Sequence, residues 1–147
     1  MRRLSIALLA FLPACGSDTP EASDSATSDV VSSAAPGVRI VAPADGAEVT
    51  GPDVTVELAV TGLEIVPAGD TASGTGHHHL YLDAELAPMD QPIPSVPGQI
   101  IHMGDGSSVY TFEGVEPGEH RVIAVVGDGV HVPVQPALVD TVRFVVR

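Results

Sequence analysis

Short β-branched segments, separated by glycine and proline, constrain the fold of this chain more than any other feature. The clearest is residues 54–61, where Val54, Val56, Leu58 and Val60 alternate with polar or small residues. Such alternation is typical of a strand with one buried face, because successive side chains point to opposite sides. Seven segments of this kind, without sustained helical periodicity between them, cover residues 38–41, 54–61, 78–83, 100–103, 108–112, 120–126 and 141–146. The pattern predicts an all-β domain over residues 37–147: an immunoglobulin-like antiparallel β-sandwich of about seven strands, with a jelly roll or small barrel as the alternative.

The first 15 residues predict a lipoprotein signal peptide. Arg2 and Arg3 precede an apolar run over residues 4–12, which is too short to span a bilayer as a mature helix. The run ends in Leu-Pro-Ala-Cys-Gly, which resembles a bacterial lipobox, so Cys15 is the predicted lipidation site. An ordinary signal peptide with an incidental cysteine is the alternative. Cys15 is the only cysteine, so the mature protein has no internal disulfide.

Residues 16–36 predict a flexible linker between this anchor and the folded domain. They are dominated by Ser, Thr, Ala, Asp and Pro, which bury too little apolar surface to offset the entropy of ordering. We therefore expect a lipid-anchored protein of the cell envelope, facing the periplasm or exposed at the surface. Gly16 rather than Asp follows the cysteine, which favours the outer membrane. The lipid is the only membrane attachment expected, because no later apolar run has the length of a spanning helix.

The charge of the chain excludes some partners. It carries 19 acidic and 6 basic residues, for a formal net charge of −13. Such a chain is not expected to bind nucleic acid or an anionic membrane surface.

A run of three histidines opens the third predicted strand. Alternation places His77 and His79 on one face and turns His78 inward above Leu80. Residues i and i+2 of a strand lie about 7 Å apart, which allows two imidazoles to converge on one metal ion at about 2.0–2.1 Å each. The alternative is a solvated strand edge, or imidazoles that hydrogen-bond a loop.

The topology of an immunoglobulin-like sandwich brings two further histidines to the same end. Loops alternate between the two ends, so His102 and His131 join the triple-histidine run, while His120 lies at the opposite end. We predict His120 to be structural, bonded back to the turn that precedes it in the manner of a tyrosine corner. The predicted metal ligands are His77, His79, His102, His131 and His78.

Two neighbours of these histidines have alternative roles. Met103 supplies a thioether suited to Cu(I), or fills the core. Asp83 orients a ligand imidazole from behind, or caps a turn.

Several motifs together resemble a bacterial family known as domain of unknown function 4399. They are Pro-Ala-Gly at 67–69, Gly-His-His-His-Leu-Tyr-Leu-Asp at 76–83, His-Met-Gly at 102–104, Pro-Gly-Glu-His at 117–120 and Gly-Asp-Gly-Val-His-Val-Pro at 127–133. The resemblance covers roughly residues 38–147. It implies an exported bacterial domain without an established activity, and it supplies no mechanism.

The sequence favours a metal-binding envelope lipoprotein that uses copper or zinc, as a buffer or a metal-handling accessory. The alternative is a metal-free, immunoglobulin-like module that binds an envelope protein. We expect no enzyme, because Gly-x-Ser-x-Gly, His-Glu-x-x-His and a glycine-rich phosphate loop are missing from the sequence.

Overall fold

The computed structural model describes residues 35–147, and within that range the chain forms nine β-strands and no helix. The predicted signal peptide, Cys15 and residues 16–34 of the predicted linker lie outside the described residues. No helix in the described part is long and apolar enough to cross a membrane.

All seven predicted strands are present, together with two short ones. The strands are β1 (Gly37–Ala42), β2 (Ala47–Val49), β3 (Val54–Thr61), β4 (Glu64–Ile65), β5 (Thr75–Leu82), β6 (Ile100–Met103), β7 (Val109–Phe112), β8 (Gly118–Gly127) and β9 (Val139–Val146). The additional strands are β2 and β4. They have two or three residues each, which is too short to show a hydrophobic period.

The strands form two sheets in the order expected of an immunoglobulin-like sandwich. One sheet has the order β1-β3-β7, and the other has the order β2-β9-β8-β5-β4, with β6 also paired to β5. The fold class predicted from the sequence is therefore confirmed. Most pairings are antiparallel, and the short β2–β9 and β4–β5 pairings are parallel.

The main core lies between the two sheets. Strand β3 alternates as predicted, with Val54, Val56 and Leu58 buried and the residues between them exposed. Leu80 and Leu82 of β5 join this core from the other sheet. Val122 of β8 and the other inward-facing residues of that sheet join it as well. Burial of these side chains stabilises the sandwich, at about 25 cal/mol for each Å² of apolar surface removed from water.

A second, smaller cluster covers the outer face of the β8–β5 region. Tyr81, Ile123 and Val125 point away from the main core and pack with Ile100 and Ile93. Ile93 comes from the connection between β5 and β6, so this long connection folds over the sheet. The cover explains why β5 is buried on both faces rather than on alternate residues only. It also contributes to the burial of His77 and His79, which lie on the same face of β5 as Tyr81.

Candidate metal centre

Four of the predicted ligands converge at one end of the covered face. His77 and His79 come from β5, His102 from β6 and His131 from the loop after β8, and one nitrogen of each lies within 4.8 Å of the others. His79 and His102 are directly opposite each other in the antiparallel register. His77 and His79 are buried, with 0% and 1% of their surface exposed, while the other two are partly exposed. The predicted gathering of these four histidines is confirmed.

The four rings surround a common centre. Their centroids are separated by 4.5 Å for His102–His131 and by 5.8 Å for His79–His131, and the other four pairs lie between these values. With metal–nitrogen bonds of 2.0–2.1 Å, four imidazole centroids around a tetrahedral ion lie about 5.2 Å apart. A square-planar ion holds two diagonal pairs at about 6.4 Å instead. No pair is that long, so the arrangement is closer to tetrahedral.

The buried ring nitrogens of this group have no partner among the described residues. Both nitrogens of His77 and both nitrogens of His79 lack a hydrogen bond. The Nε2 atoms of His131 and His102 lie 3.1 Å apart, so at most one of them can donate to the other. A buried polar atom without a partner costs about 1–3 kcal/mol. The residues present fit a metal ion, because a cation accepts the lone pairs that nothing else in the fold uses.

The electrostatics keep three of the four imidazoles neutral. Burial, together with the smaller effect of the neighbouring histidines, lowers the pKa of His77 to about 4 and that of His79 to about 3. Burial also lowers the pKa of His102. Neutral imidazole is the form that ligates metals, so these rings are in their ligand form at neutral pH.

Two glycines give the rings their space. A Cβ atom at Gly127, which pairs with His77 across β5 and β8, would lie 2.7 Å from Cε1 of His79. A Cβ atom at Gly104 would overlap the ring of His102. Any larger residue at either position would displace a ligand. Sequence reasoning noted both glycines only as parts of motifs and did not assign them this role.

The loop that carries His131 is built around Asp128. The Asp128 Oδ1 atom accepts hydrogen bonds from the backbone N–H groups of Val130 and Val132, at 3.0 and 2.9 Å. The Asp128 carbonyl accepts a third from the backbone N–H of His131, at 2.9 Å. These bonds hold His131 at a φ of 72°, in the left-handed region, which costs about 1 kcal/mol for a residue with a side chain. Asp128 was missed from the sequence, although an Asp between two glycines is a turn signal.

The fifth predicted ligand, His78, does not belong to this group. Strand alternation turns its side chain to the face of Leu80 and Leu82, and it is 1% exposed. Burial lowers its pKa to about 4. Met103 is also on that side, buried in the main core, so the thioether fills the core rather than completing the histidine group.

His120 lies at the other end of the same sheet and has a different environment. Its Nε2 lies 2.7 Å from the carbonyl oxygen of Glu116, in the turn between β7 and β8. Its Nδ1 lies 2.6 Å from Oδ2 of Asp83. Both partners accept hydrogen bonds, so both ring nitrogens donate when the imidazole is protonated. Burial lowers the pKa of His120, but the bonds to Asp83 and Glu116 outweigh this effect and leave it raised.

This geometry confirms one prediction and corrects another. His120 is bonded back to its turn, as predicted for a residue in the position of a tyrosine corner. The suggestion that Asp83 orients a ligand imidazole is wrong. Its two carboxylate oxygens accept bonds from His120 and from the backbone N–H of Arg121, at the end of the sheet away from the four-histidine group.

The described structure is thus an immunoglobulin-like β-sandwich with a four-histidine group that could hold a metal ion. The chain belongs to the DUF4399 family, a domain of unknown function, whose family model matches residues 56–147. The matched region contains all four histidines of the group.

The other comparisons add little. A crystal structure of an engineered protein at 1.98 Å resolution aligns with 17% sequence identity and a TM-score of 0.45. The alignment covers 78% of this chain and 21% of that protein, so the chain spans about a fifth of its length. A likeness at this level carries no argument. No curated protein matches the chain.

Proposed function

We propose that this protein binds one zinc or copper ion through His77, His79, His102 and His131, and serves as a metal buffer or a metal-handling accessory. One observation carries the proposal: four imidazoles bring one nitrogen each within 4.8 Å of the others, and the two buried rings have no hydrogen-bond partner for either nitrogen among the described residues. Buried neutral imidazoles without hydrogen-bond partners destabilise the fold. The same imidazoles are good ligands for a borderline metal ion.

The arrangement favours zinc over copper. The donor set consists of nitrogen alone, and the thioether of Met103 lies in the core, so it does not supply the soft ligand that Cu(I) prefers. The ring separations lack the two long diagonals of a square-planar Cu(II) site. Zinc accepts a tetrahedral set of four protein ligands.

The same ligand count supports a role in binding rather than catalysis. A catalytic zinc site keeps one coordination position for water or substrate, whereas four protein ligands complete a tetrahedron. Asp128 and Asp105 lie close enough to act electrostatically on His77 and His102. These carboxylates offset part of the charge of a divalent ion held by neutral rings.

We propose that the protein works in the cell envelope, anchored there by a lipid on Cys15, with the outer membrane favoured. The proposal rests on the lipobox-like sequence at residues 12–16 and on the polar spacer that follows it. The Cys15→Ser variant should leave the membrane fraction while its domain stays folded, because the cysteine precedes the first strand by about 20 residues. A variant that still sediments with membranes after a high-salt wash contradicts the anchor.

Calorimetric titration of the chelator-treated protein with Zn²⁺ and Cu²⁺ tests metal binding. We expect one ion per chain and a rise in melting temperature on loading, which excess chelator reverses. No binding tighter than about 10 μM, with an unchanged melting temperature, contradicts the proposal. That result would favour the metal-free interaction module, for which crosslinking in the envelope should recover a protein partner.

A further inference from the structure

The fourth ligand differs from the other three in how the chain carries it. His77, His79 and His102 stand on two paired strands, β5 and β6, where neighbouring hydrogen bonds fix the backbone. His131 stands on a loop, with its backbone in the left-handed region. Three ligands are therefore held by the sheet, and one is held by a loop, in which the His131 carbonyl accepts a hydrogen bond from the backbone N–H of Ile93 at 2.8 Å.

Exposure divides the four histidines two and two, because His102 is partly exposed like His131 although it stands on a strand. His77 and His79 have almost no exposed surface, whereas His131 is partly exposed and the residue before it, Val130, is 59% exposed. The connection between β5 and β6 covers the sheet beside the site. An ion or an external donor must therefore arrive from the side of His131 and His102.

Resting on the proposed function, we infer that His131 is the exchangeable ligand through which the metal enters and leaves. Its release breaks one metal–nitrogen bond, and an incoming neutral imidazole forms the replacing bond at the same position, without change of oxidation state. His77, His79 and His102 hold the ion during the exchange.

Asp128 controls how readily the loop moves so that His131 dissociates from the metal ion. Two hydrogen bonds to its side chain and one to its carbonyl hold the loop around His131. The Asp128→Ala variant removes the two side-chain bonds, while Asp128→Asn keeps an oxygen acceptor and removes only the charge. We expect Asp128→Ala to release zinc to a competing chelator about tenfold faster, since each lost bond contributes modestly. Asp128→Asn should release zinc at a rate between those of the wild type and Asp128→Ala, because it keeps an acceptor for the hydrogen bonds and loses only the charge that offsets the ion.

The decisive experiment uses the full chain loaded with Co²⁺, whose visible spectrum reports its ligands, and free imidazole as the probe. In His131→Ala, we expect Co²⁺ to bind about 100-fold more weakly than in the wild type, since about a quarter of the ligand energy is lost. Free imidazole should then restore the wild-type spectrum. In the matched variant His79→Ala, the missing position is buried, so imidazole should not restore it.

The outcomes separate this inference from the proposed function. If the wild type binds no metal, the proposed function fails. If the wild type binds metal but imidazole restores His79→Ala as readily as His131→Ala, only the exchange at His131 is refuted. Equal zinc release from Asp128→Ala and the wild type refutes it as well, and circular dichroism confirms that each variant is folded.

Discussion

The two ends of one sheet hold histidines in opposite chemical states. At one end, His77 and His79 are buried, their pKa values are lowered, and none of their nitrogens has a hydrogen-bond partner within residues 35–147. At the other end, His120 has an acceptor for each nitrogen, and its pKa is raised. The same side chain thus lacks hydrogen-bond partners in one place and is bonded to two acceptors as a structural group in the other. The difference lies in which neighbours are present: acceptors stabilise a proton, and their absence leaves lone pairs for a metal.

The largest effect should come from removing a ligand at the first end. His79→Ala should weaken zinc binding at least about 100-fold, because a quarter of the coordination is lost and a buried space remains. His120→Ala should leave the zinc affinity unchanged, since its ring lies outside the group. Competition with a zinc-binding dye measures both. A comparable loss in His120→Ala would break the distinction between the two ends.

Acid should destabilise the metal-free protein through the first end. His77, His78 and His79 have pKa values of about 4, 4 and 3 when folded and about 6.5 when unfolded. Below pH 6.5 the unfolded state therefore binds more protons, and stability falls as the pH drops toward 4. Each histidine costs about 2 kcal/mol at pH 5 relative to pH 7.5. Urea unfolding at both values, in the presence of chelator, measures this loss, and bound zinc should reduce it. A flat profile in the metal-free protein contradicts the burial of these rings.

The second end should respond to pH with the opposite sign. Because the pKa of His120 is raised on folding, its contribution to stability is complete below pH 6.5 and is lost as the pH rises through the folded value. Asp83→Asn should destabilise the protein by about 1 kcal/mol at pH 6, a value reduced by the solvent exposure of the carboxylate. The penalty should shrink above the folded pKa of His120. Urea unfolding of the variant and the wild type at pH 6 and pH 9 tests this, and a penalty that grows with pH contradicts a charged His120.

The smallest effect concerns the histidine that faces the main core. His78→Leu has a similar volume and removes a buried Nδ1 without a partner, so it should raise the free energy of unfolding at pH 7 by about 1 kcal/mol. Zinc affinity should not change, and the acid sensitivity should become shallower. Loss of zinc binding in this variant would return His78 to the ligand set.

Local patterns predicted most of the strands, and topology predicted the histidine group. The alternation of Val54, Val56 and Leu58 marked β3 because one face of that strand is exposed. The alternation of loops between the two ends of a sandwich was enough to place His102 and His131 beside His77.

The remaining features depend on contacts distant in sequence. The sequence did not reveal that Asp83 binds His120, because this partner follows 37 residues later on a neighbouring strand. Ile93 lies in a segment without hydrophobic periodicity, so the local sequence did not predict that it would cover the sheet. The space provided by Gly104 and Gly127 is visible only once the rings are placed.

The position of the histidine group on the outer face of its sheet has an evolutionary consequence. The side chains that hold the two sheets together and those of the four-histidine group point in opposite directions from the same sheet. Relatives can therefore gain, lose or retune the centre by substitution on one face while the sandwich persists on the other. For the same reason, the centre is suited to transplantation onto another sandwich, provided that the two glycines and the Asp128 loop are carried with it.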